Sequence, residues 1–180
     1  MRRIASAMLA LALVPSASLA QDEDTAALVA RGEYIVTTTG CGDCHTPLTM
    51  GSNGPEPDMS RMLSGHPQEI VIDAPAQVAE PWGFAGSPTN TAWSGPWGVS
   101  FTANLTPDPE TGVLRDYTAE QFIEAMRTGR HKGQGRPILP PMPWPAFGQM
   151  TDEDLRAMYA YLQQIPPVQN QVPEPLPPGE

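Results

Sequence analysis

Cysteine, basic residues and long apolar runs are all scarce in this chain of 180 residues. The two cysteines lie only three positions apart, which excludes a disulfide framework. Ten basic residues against twenty acidic ones leave a formal charge of −10, so the chain is a poor candidate for binding nucleic acid. No apolar run reaches the ~18–20 residues of a membrane-spanning helix, which excludes a multi-span membrane protein. Proline and glycine, by contrast, number 22 and 16, a composition that predicts many loops and little sheet.

The N-terminal residues 1–20 have the three parts of a secretory signal peptide. Two arginines follow Met1, an apolar stretch covers residues 4–14, and small residues lead up to Ala20. We therefore predict cleavage after Ala20, with no stable membrane insertion afterwards. An uncleaved anchor is the alternative, and the short apolar core argues against it. Cleavage removes two arginines and no acid, so the formal charge of −10 becomes −12 in the exported chain.

Three stretches of the exported chain have helical patterns. The first covers residues 24–39, where apolar positions recur at helical spacing. The second begins at Thr118 with a Thr-x-x-Gln capping box. The third begins at Thr151, carries acidic residues in its first turn and ends before Pro166. We assign these helices to one domain, residues 21–167.

The rest of the chain is poor in regular patterns. Residues 46–100 are rich in glycine, proline, serine and asparagine and are predicted to be a long loop-rich segment. Only residues 69–73 are apolar enough for a short extended segment. Residues 168–180 are predicted to form a mobile proline-rich tail. So few regular elements can bury only a small hydrophobic core. This indicates that another component occupies the centre of the domain.

The sequence Cys41-Gly42-Asp43-Cys44-His45 is the C-x-x-C-H signature of c-type haem attachment. Two cysteines at this spacing can each add to one vinyl group of a single haem, and the next residue then supplies the imidazole that binds the iron. A redox C-x-x-C motif would need a βαβ context, which the pattern lacks. A zinc site would need further cysteine or well-spaced histidine ligands. We therefore predict one covalent haem c on Cys41 and Cys44, with His45 as a metal ligand.

A haem iron that only carries electrons needs a sixth ligand, and His or Met can provide it. His66 and His131 are the remaining histidines. Among the methionines Met142 is distinctive, because it stands between prolines that stiffen its loop. The residues alone leave two interpretations of Met142 open, as the distal ligand or as packing within a proline-rich turn.

Several segments of the chain resemble the class I c-type cytochromes. The resemblance is strongest to the cytochrome c domains found in the cytochrome subunits of bacterial alcohol, aldehyde and gluconate dehydrogenases. The segments that carry this resemblance are residues 97–108 with Thr111-Gly112, residues 121–129, Pro140-Pro141-Met142-Pro143-Trp144, and residues 151–162. The resemblance implies an all-α cytochrome c fold, in which a few short helices and long loops wrap around one haem. It also implies that Met142 is the distal metal ligand and that the protein is periplasmic.

Two departures from the family are visible. The family commonly has a glycine and a tryptophan before the capping threonine, where this chain has Leu114 and Tyr117. Many dehydrogenase subunits carry three such domains, whereas this chain contains a single C-x-x-C-H sequence.

Some secondary contacts of the haem are also expected. The second ring nitrogen of His45 needs an acceptor, and the carbonyl of Pro55, or next that of Pro57, lies at a suitable distance in sequence. An indole N–H of Trp93 or Trp97 could donate to a propionate, or these rings could simply pack. Either Arg136 or Arg130 could pair with a propionate, or both could be ordinary solvated side chains.

These observations favour a protein that transfers single electrons between redox partners and has no catalytic residue of its own. The acidic surface predicts docking to a basic patch on a partner dehydrogenase, oxidase or cytochrome. One alternative is a haem enzyme or gas sensor with an open axial position. A further interpretation, compatible with electron transfer, is a subunit fixed in a dehydrogenase complex.

Overall fold

The computed structural model describes residues 16–179, with side chains described from residue 21 onward. The predicted signal peptide, residues 1–20, therefore lies outside the part of the chain whose side chains are described. Among the described helices, none combines the length and the apolar character needed to cross a membrane.

Two helices meet at the C-x-x-C-H sequence. Helix α1 covers Ser16–Thr38 and includes most of the helix predicted from the sequence. Helix α2 covers Cys41–His45. Gly40 separates them with a φ of 73°, a left-handed conformation that residues with a Cβ adopt at a cost. The turn at Gly40 therefore ends the first helix and sets the direction of the second.

The predicted helix starts at Thr118 and Thr151 are confirmed. Helix α3 covers Ala119–Thr128. A capping box begins it: the backbone N–H of Gln121 donates to the Thr118 hydroxyl, and the backbone N–H of Thr118 donates to the Gln121 side-chain oxygen. Helix α4 is a short turn over Trp144–Phe147 that the sequence pattern does not predict. Helix α5 covers Asp152–Leu162, and the Thr151 side chain accepts from the backbone N–H of Asp154.

The helices α1, α3 and α5 pack together and form the core. Its buried side chains come from all three helices and from the loops between them: Ile35, Val36, Leu63, Leu114, Phe122, Ile123, Met126, Phe147, Leu155, Met158, Leu162 and Ile165. Helices α1 and α5 approach most closely at Gly32, where a Cβ would overlap the backbone of Ala157 and the side chain of Tyr161.

Five short strands lie between residues 48 and 101, so the expected all-α class holds only in part. Strands β1 (Leu48–Gly51) and β2 (Gly54–Pro57) form one antiparallel hairpin. Strands β3 (Ala85–Gly86), β4 (Ala92–Gly95) and β5 (Gly98–Phe101) form a second antiparallel sheet in that order. The strands are short and linked by glycine turns, and their apolar alternation is too weak to be recognised in the sequence.

The extended segment expected over residues 69–73 forms no strand in the structure. Its apolar side chains gain no sheet partner, and Val71 is 82% exposed. That prediction rested on local apolar character alone, whereas forming a strand also requires a neighbouring strand to pair with.

The C-terminal tail is extended and makes hydrogen bonds to the domain. Asn170 is buried and donates to the backbone carbonyls of Ser64 (2.7 Å) and His66 (2.9 Å). Further along, Leu176 and Val99 exchange two backbone hydrogen bonds of 3.0 Å. Composition predicted an extended, mobile tail and gave no sign of these two residues, which attach it to distant segments.

Replacing Gly32 by Ala should lower the free energy of unfolding by about 1–3 kcal/mol or more, because the added methyl group forces α1 and α5 apart. Helix propensity alone predicts the opposite sign, a gain of up to about 1 kcal/mol. Chemical denaturation measures the difference. The matched control is Gly83→Ala, where no atom lies within 4 Å of the new Cβ and a change within about 0.5 kcal/mol is expected. A stabilised Gly32→Ala variant would contradict the close helix crossing.

Candidate functional site

The C-x-x-C-H helix forms one wall of a cavity at the centre of the domain. Helices α3, α4 and α5 and the loop before Met142 form the other walls. The lining side chains are mostly apolar and come from every part of the fold: Cys41, Cys44, His45, Leu105, Val113, Leu114, Phe122, Ala125, Met126, Ile138, Leu139, Met142, Phe147, Met158 and Leu162. Such a cavity suits a large apolar group with a few polar contacts at its edge.

His45 is held in one orientation within this wall. It is 8% exposed, and its Nδ1 lies 2.8 Å from the carbonyl oxygen of Ala103, so the N–H at Nδ1 donates to that carbonyl. Burial lowers the pKa of His45 and favours the neutral imidazole, although the bond to Ala103 acts in the opposite direction. Among the described residues Nε2 has no hydrogen-bond partner, which leaves it available to bind a metal ion.

The expected partner of His45 was therefore wrong. The sequence suggested the carbonyl of Pro55 or Pro57, but both residues lie on the exposed hairpin of β1 and β2. Ala103 is 58 positions away in sequence, and only the fold brings its carbonyl to the imidazole. A backbone acceptor at such a distance leaves no mark in the sequence.

Both cysteines face the cavity as free thiols rather than as a disulfide. Burial raises the pKa of the Cys41 thiol and that of the Cys44 thiol, and the neighbouring Asp43 acts in the same direction on each. Cys41, Cys44 and His45 share one short helix, and all three line the cavity. This is the donor set that covalent haem attachment requires.

The two other histidines differ in what they can bind. His66 is buried away from the cavity, and its ring nitrogens lie 2.9 Å from Thr91 Oγ1 and 2.9 Å from the carbonyl of Ile70. Both nitrogens are thus engaged, and His66 is not a metal-ligand candidate. His131 lines the cavity, with Nδ1 3.1 Å from the Tyr117 hydroxyl.

Met142 lies on the cavity, on the loop that precedes α4. Met126 and Met158 also line the cavity, but they project from α3 and α5 as part of the helix-packed core. Met150 packs against the core without lining the cavity, and Met50 is 77% exposed. Of the methionines that reach the cavity, Met142 is the one presented by a loop.

The loop that carries Met142 is attached to the second sheet. Ser100, on β5, donates from its hydroxyl to the carbonyl of Pro140 at 2.5 Å. The same hydroxyl accepts from the indole N–H of Trp97 at 3.2 Å. Ser100 therefore connects the Met142 loop to β5, a role that the sequence did not indicate.

One buried polar atom is left without a partner at the edge of the cavity. The indole nitrogen Nε1 of Trp93 makes no hydrogen bond to any described residue, although Trp93 lines the cavity. Trp97, the other candidate donor, already donates to Ser100. Arg136 lines the cavity, whereas Arg130 does not. An orphaned N–H and a guanidinium beside an otherwise apolar cavity fit a haem with acidic propionates.

Residues 29–166 match the cytochrome c family. Several curated bacterial proteins are similar to the chain. It is 33% identical over 96% of its length to the cytochrome c subunit of a quinone-dependent alcohol dehydrogenase from Gluconobacter oxydans, covering 29% of that protein. It is 32% identical over 85% of its length to the cytochrome c subunit of gluconate 2-dehydrogenase from Pantoea cypripedii, covering 26% of that protein.

A third relative is the cytochrome subunit of fructose dehydrogenase from Gluconobacter japonicus, which is 30% identical over 74% of this chain. The chain covers 20% of that protein, and it spans less than a third of each of these relatives. The similarity therefore covers a single stretch of these larger cytochrome subunits, about as long as one domain.

Replacing Trp93 by Phe tests whether the orphaned N–H has a charged acceptor in the haem-loaded protein. If it donates to a propionate, Trp93→Phe should lower the free energy of unfolding by about 1.5–3 kcal/mol. An unchanged or increased stability would contradict this, because removing an unpaired buried N–H is favourable. Chemical denaturation is the measurement, and Trp82→Phe, at a position 75% exposed, is the control with an expected change within about 0.5 kcal/mol.

His131 should make the domain less stable in mild acid. Burial, with Arg136 acting in the same direction, lowers its pKa from 6.5 to about 4. A depressed histidine pKa means that the unfolded chain binds the proton first, so this contribution to stability is present above pH 6.5 and is lost as the pH falls towards 4. His131→Gln should reduce the loss over that range, measured by denaturation at several pH values. An equal loss in both proteins would contradict the assignment.

Proposed function

The chain belongs to the cytochrome c family, and on that premise we propose that it is a periplasmic monohaem cytochrome that transfers single electrons between redox partners. The observation that carries the proposal is the central cavity, with Cys41, Cys44 and His45 on one side and the loop of Met142 on another. The names of the similar dehydrogenase subunits support an electron-transfer role rather than catalysis by this chain itself.

We assign one haem c to the cavity. Cys41 and Cys44 would hold it through thioether bonds, and Nε2 of His45 and the sulfur of Met142 would bind its iron. The haem supplies a metal centre that gains and loses one electron. The carbonyl of Ala103 keeps the His45 ring oriented, as outer-shell acceptors of metal-bound histidines do.

The rest of the cavity controls the environment of this metal centre. Side chains such as Phe122, Met158 and Leu162 keep water away and stabilise the less charged form of the site. Trp93 and Arg136 provide an N–H and a positive charge for the propionates. A thioether ligand also raises the reduction potential relative to a second imidazole. With both His45 and Met142 bound to it, the iron would have no position left for a substrate.

Localisation and partners follow from the exported chain. Cleavage after Ala20 releases a protein with a formal charge of −12 into the periplasm. That charge favours a partner with a basic patch, with association that weakens as salt is added. The partner class that the relatives suggest is a dehydrogenase, to which this protein is either bound as a subunit or coupled by diffusion.

The distal-ligand assignment is tested with Met142→Ala in the haem-loaded protein. Loss of the thioether should abolish the weak red absorption band of Met-ligated ferric haem, lower the reduction potential and allow rapid binding of carbon monoxide to the reduced form. Absorption spectra and a redox titration are the measurements.

Met150→Ala is the matched control, because Met150 packs against the same core without lining the cavity. It should leave the band and the potential unchanged. If the unsubstituted protein lacks the band and binds carbon monoxide rapidly, its axial position is open, and a haem enzyme or gas sensor becomes the better function.

A further inference from the structure

The backbone around Gly65 connects His45 to the segment that orients its imidazole ring. The backbone N–H of Gly65 donates to the carbonyl of His45 at 2.8 Å, and the backbone N–H of His66 donates to the carbonyl of Thr102 at 2.9 Å. The residue after Thr102 is Ala103, whose carbonyl accepts from Nδ1 of His45. A shift of the backbone around Gly65 would therefore move that carbonyl relative to the imidazole.

This backbone has no room to move towards Ala103. Gly65 has a φ of 78°, and a Cβ at this position would overlap the backbone of Thr102 and Ala103. Contact this close transmits a displacement, because a packed protein interior has low compressibility. We call residues 64–66 the Gly65 segment.

One side chain of the C-terminal tail holds the Gly65 segment. Asn170 is 1% exposed, and the two hydrogens on its Nδ2 donate to the carbonyls of Ser64 at 2.7 Å and of His66 at 2.9 Å. Ser64 and His66 are fully buried, so solvent water cannot take the place of these two donors. Loss of the Asn170 amide would leave two buried carbonyls without these donors, which is costly.

The other polar groups of Asn170 are engaged as well. Its Oδ1 accepts from the backbone N–H of Gln68 at 3.0 Å, and its own backbone N–H donates to Thr111 Oγ1 at 3.0 Å. These contacts fix the direction of the side-chain amide, because Oδ1 faces an N–H and Nδ2 faces two carbonyls.

A second buried asparagine connects the tail to the acceptor of the imidazole. Asn104 follows Ala103 and is 0% exposed. Its Nδ2 donates to the carbonyl of Val168 at 2.8 Å and to Thr111 Oγ1 at 3.1 Å, and the same Thr111 oxygen accepts from Asn170. The tail therefore holds the support of the imidazole ring at two points.

We propose that Asn170 is a positioning residue for His45. It acts through the Gly65 segment on the carbonyl of Ala103, and so on the hydrogen bond that Nδ1 of the imidazole donates. The inference rests on the proposed function, in which Nε2 of the same ring would bind the haem iron. It gives a residue of the C-terminal tail a part in setting the reduction potential.

The direction of the effect follows from the chemistry of the ring. An imidazole that donates from Nδ1 to a carbonyl is a more basic ligand at Nε2. A more basic ligand favours ferric iron, which carries the higher charge, so weakening this hydrogen bond should raise the reduction potential. Entry of water into the cavity would lower the potential, because water also favours the more charged form. The sign of the change therefore separates positioning from a simple loosening of the domain.

The first test replaces Asn170 by Leu, which removes both donors and keeps the charge and nearly the volume of the side chain. In the haem-loaded protein, Asn170→Leu should shift the equilibrium with a redox dye towards the reduced form by about threefold or more. An unchanged or lowered potential would overturn the proposal. Asn170→Ser, whose hydroxyl can replace one of the two donors, should give a smaller change of the same sign, and it carries the test if Asn170→Leu does not fold.

Two control variants accompany this measurement. Gln171→Ala changes the next residue of the tail, whose exposed side chain donates to the neighbouring carbonyl of Val172. Thr151→Ala removes the N-cap of α5 and should destabilise the domain at a site away from the Gly65 segment. Both should leave the potential unchanged. If Thr151→Ala moved the potential as far as Asn170→Leu does, any loss of stability would suffice and the assignment would be wrong.

The second test follows the hydrogen bond itself by NMR of the reduced, haem-loaded protein. Exchange of the Nδ1 hydrogen of His45 in deuterium oxide should accelerate about tenfold or more in Asn170→Leu. In Thr151→Ala it should accelerate no more than the loss of global stability accounts for, as measured by chemical denaturation. Equal protection of this hydrogen in Asn170→Leu and in the unsubstituted protein would contradict the proposal.

A failure of the proposed function looks different. If His45 did not bind the iron, its ring protons in the unsubstituted protein would lack the large upfield shift that a porphyrin imposes on an axial ligand. That result would overturn the proposed function and, with it, the premise of this inference. Normal shifts in the unsubstituted protein, with no effect of Asn170→Leu on exchange or potential, would overturn the role of Asn170 alone.

Discussion

Filling one central apolar cavity is the constraint on which the rest of this structure depends. An empty apolar cavity is destabilising, because the atoms that line it lose their packing contacts. Helices α2, α3, α4 and α5 surround the cavity rather than closing over it, and the loops contribute more lining residues than the helices do. The haem c proposed for this cavity would restore these contacts. A chain with 22 prolines and few regular elements can then still possess a well-packed core.

The wall of the cavity is held by residues that are distant in sequence. Ala103 orients His45, and the next residue, Asn104, donates from its side chain to the carbonyl of Val168 at 2.8 Å. The backbone N–H of Gly65 donates to the carbonyl of His45 at 2.8 Å, and the neighbouring carbonyls accept from the tail. The proline-rich tail thus helps to hold the segments that contact His45, and it lies against the domain there.

The net charge of the protein and the distribution of that charge have different origins. The formal charge is a property of composition and predicts repulsion of other polyanions. How that charge is distributed depends on which arginines find acidic neighbours across helix interfaces, as Arg31 does with Asp154 between α1 and α5. Lys132 differs, because in the described structure no acidic side chain lies within ion-pair distance of it.

The sequence alone predicted the chemistry proposed for Cys41, Cys44 and His45, because C-x-x-C-H places these three side chains close together along the chain, and the structure holds them on one short helix. It also determined the starts of α3 and α5, since a capping threonine acts on donors within its own turn. Met142 was predicted as the distal ligand from its proline neighbours and from the family resemblance, and it lines the cavity.

The tertiary structure alone decided the acceptor of His45, the choice between Trp93 and Trp97 as a free donor, and the attachment of the tail. Each of these depends on two groups that lie tens of residues apart and carry no local pattern, as the carbonyl of Ala103 shows. The short strands between residues 48 and 101 were likewise decided by the tertiary structure, because a strand of about four residues is defined by its pairing partner rather than by its own composition.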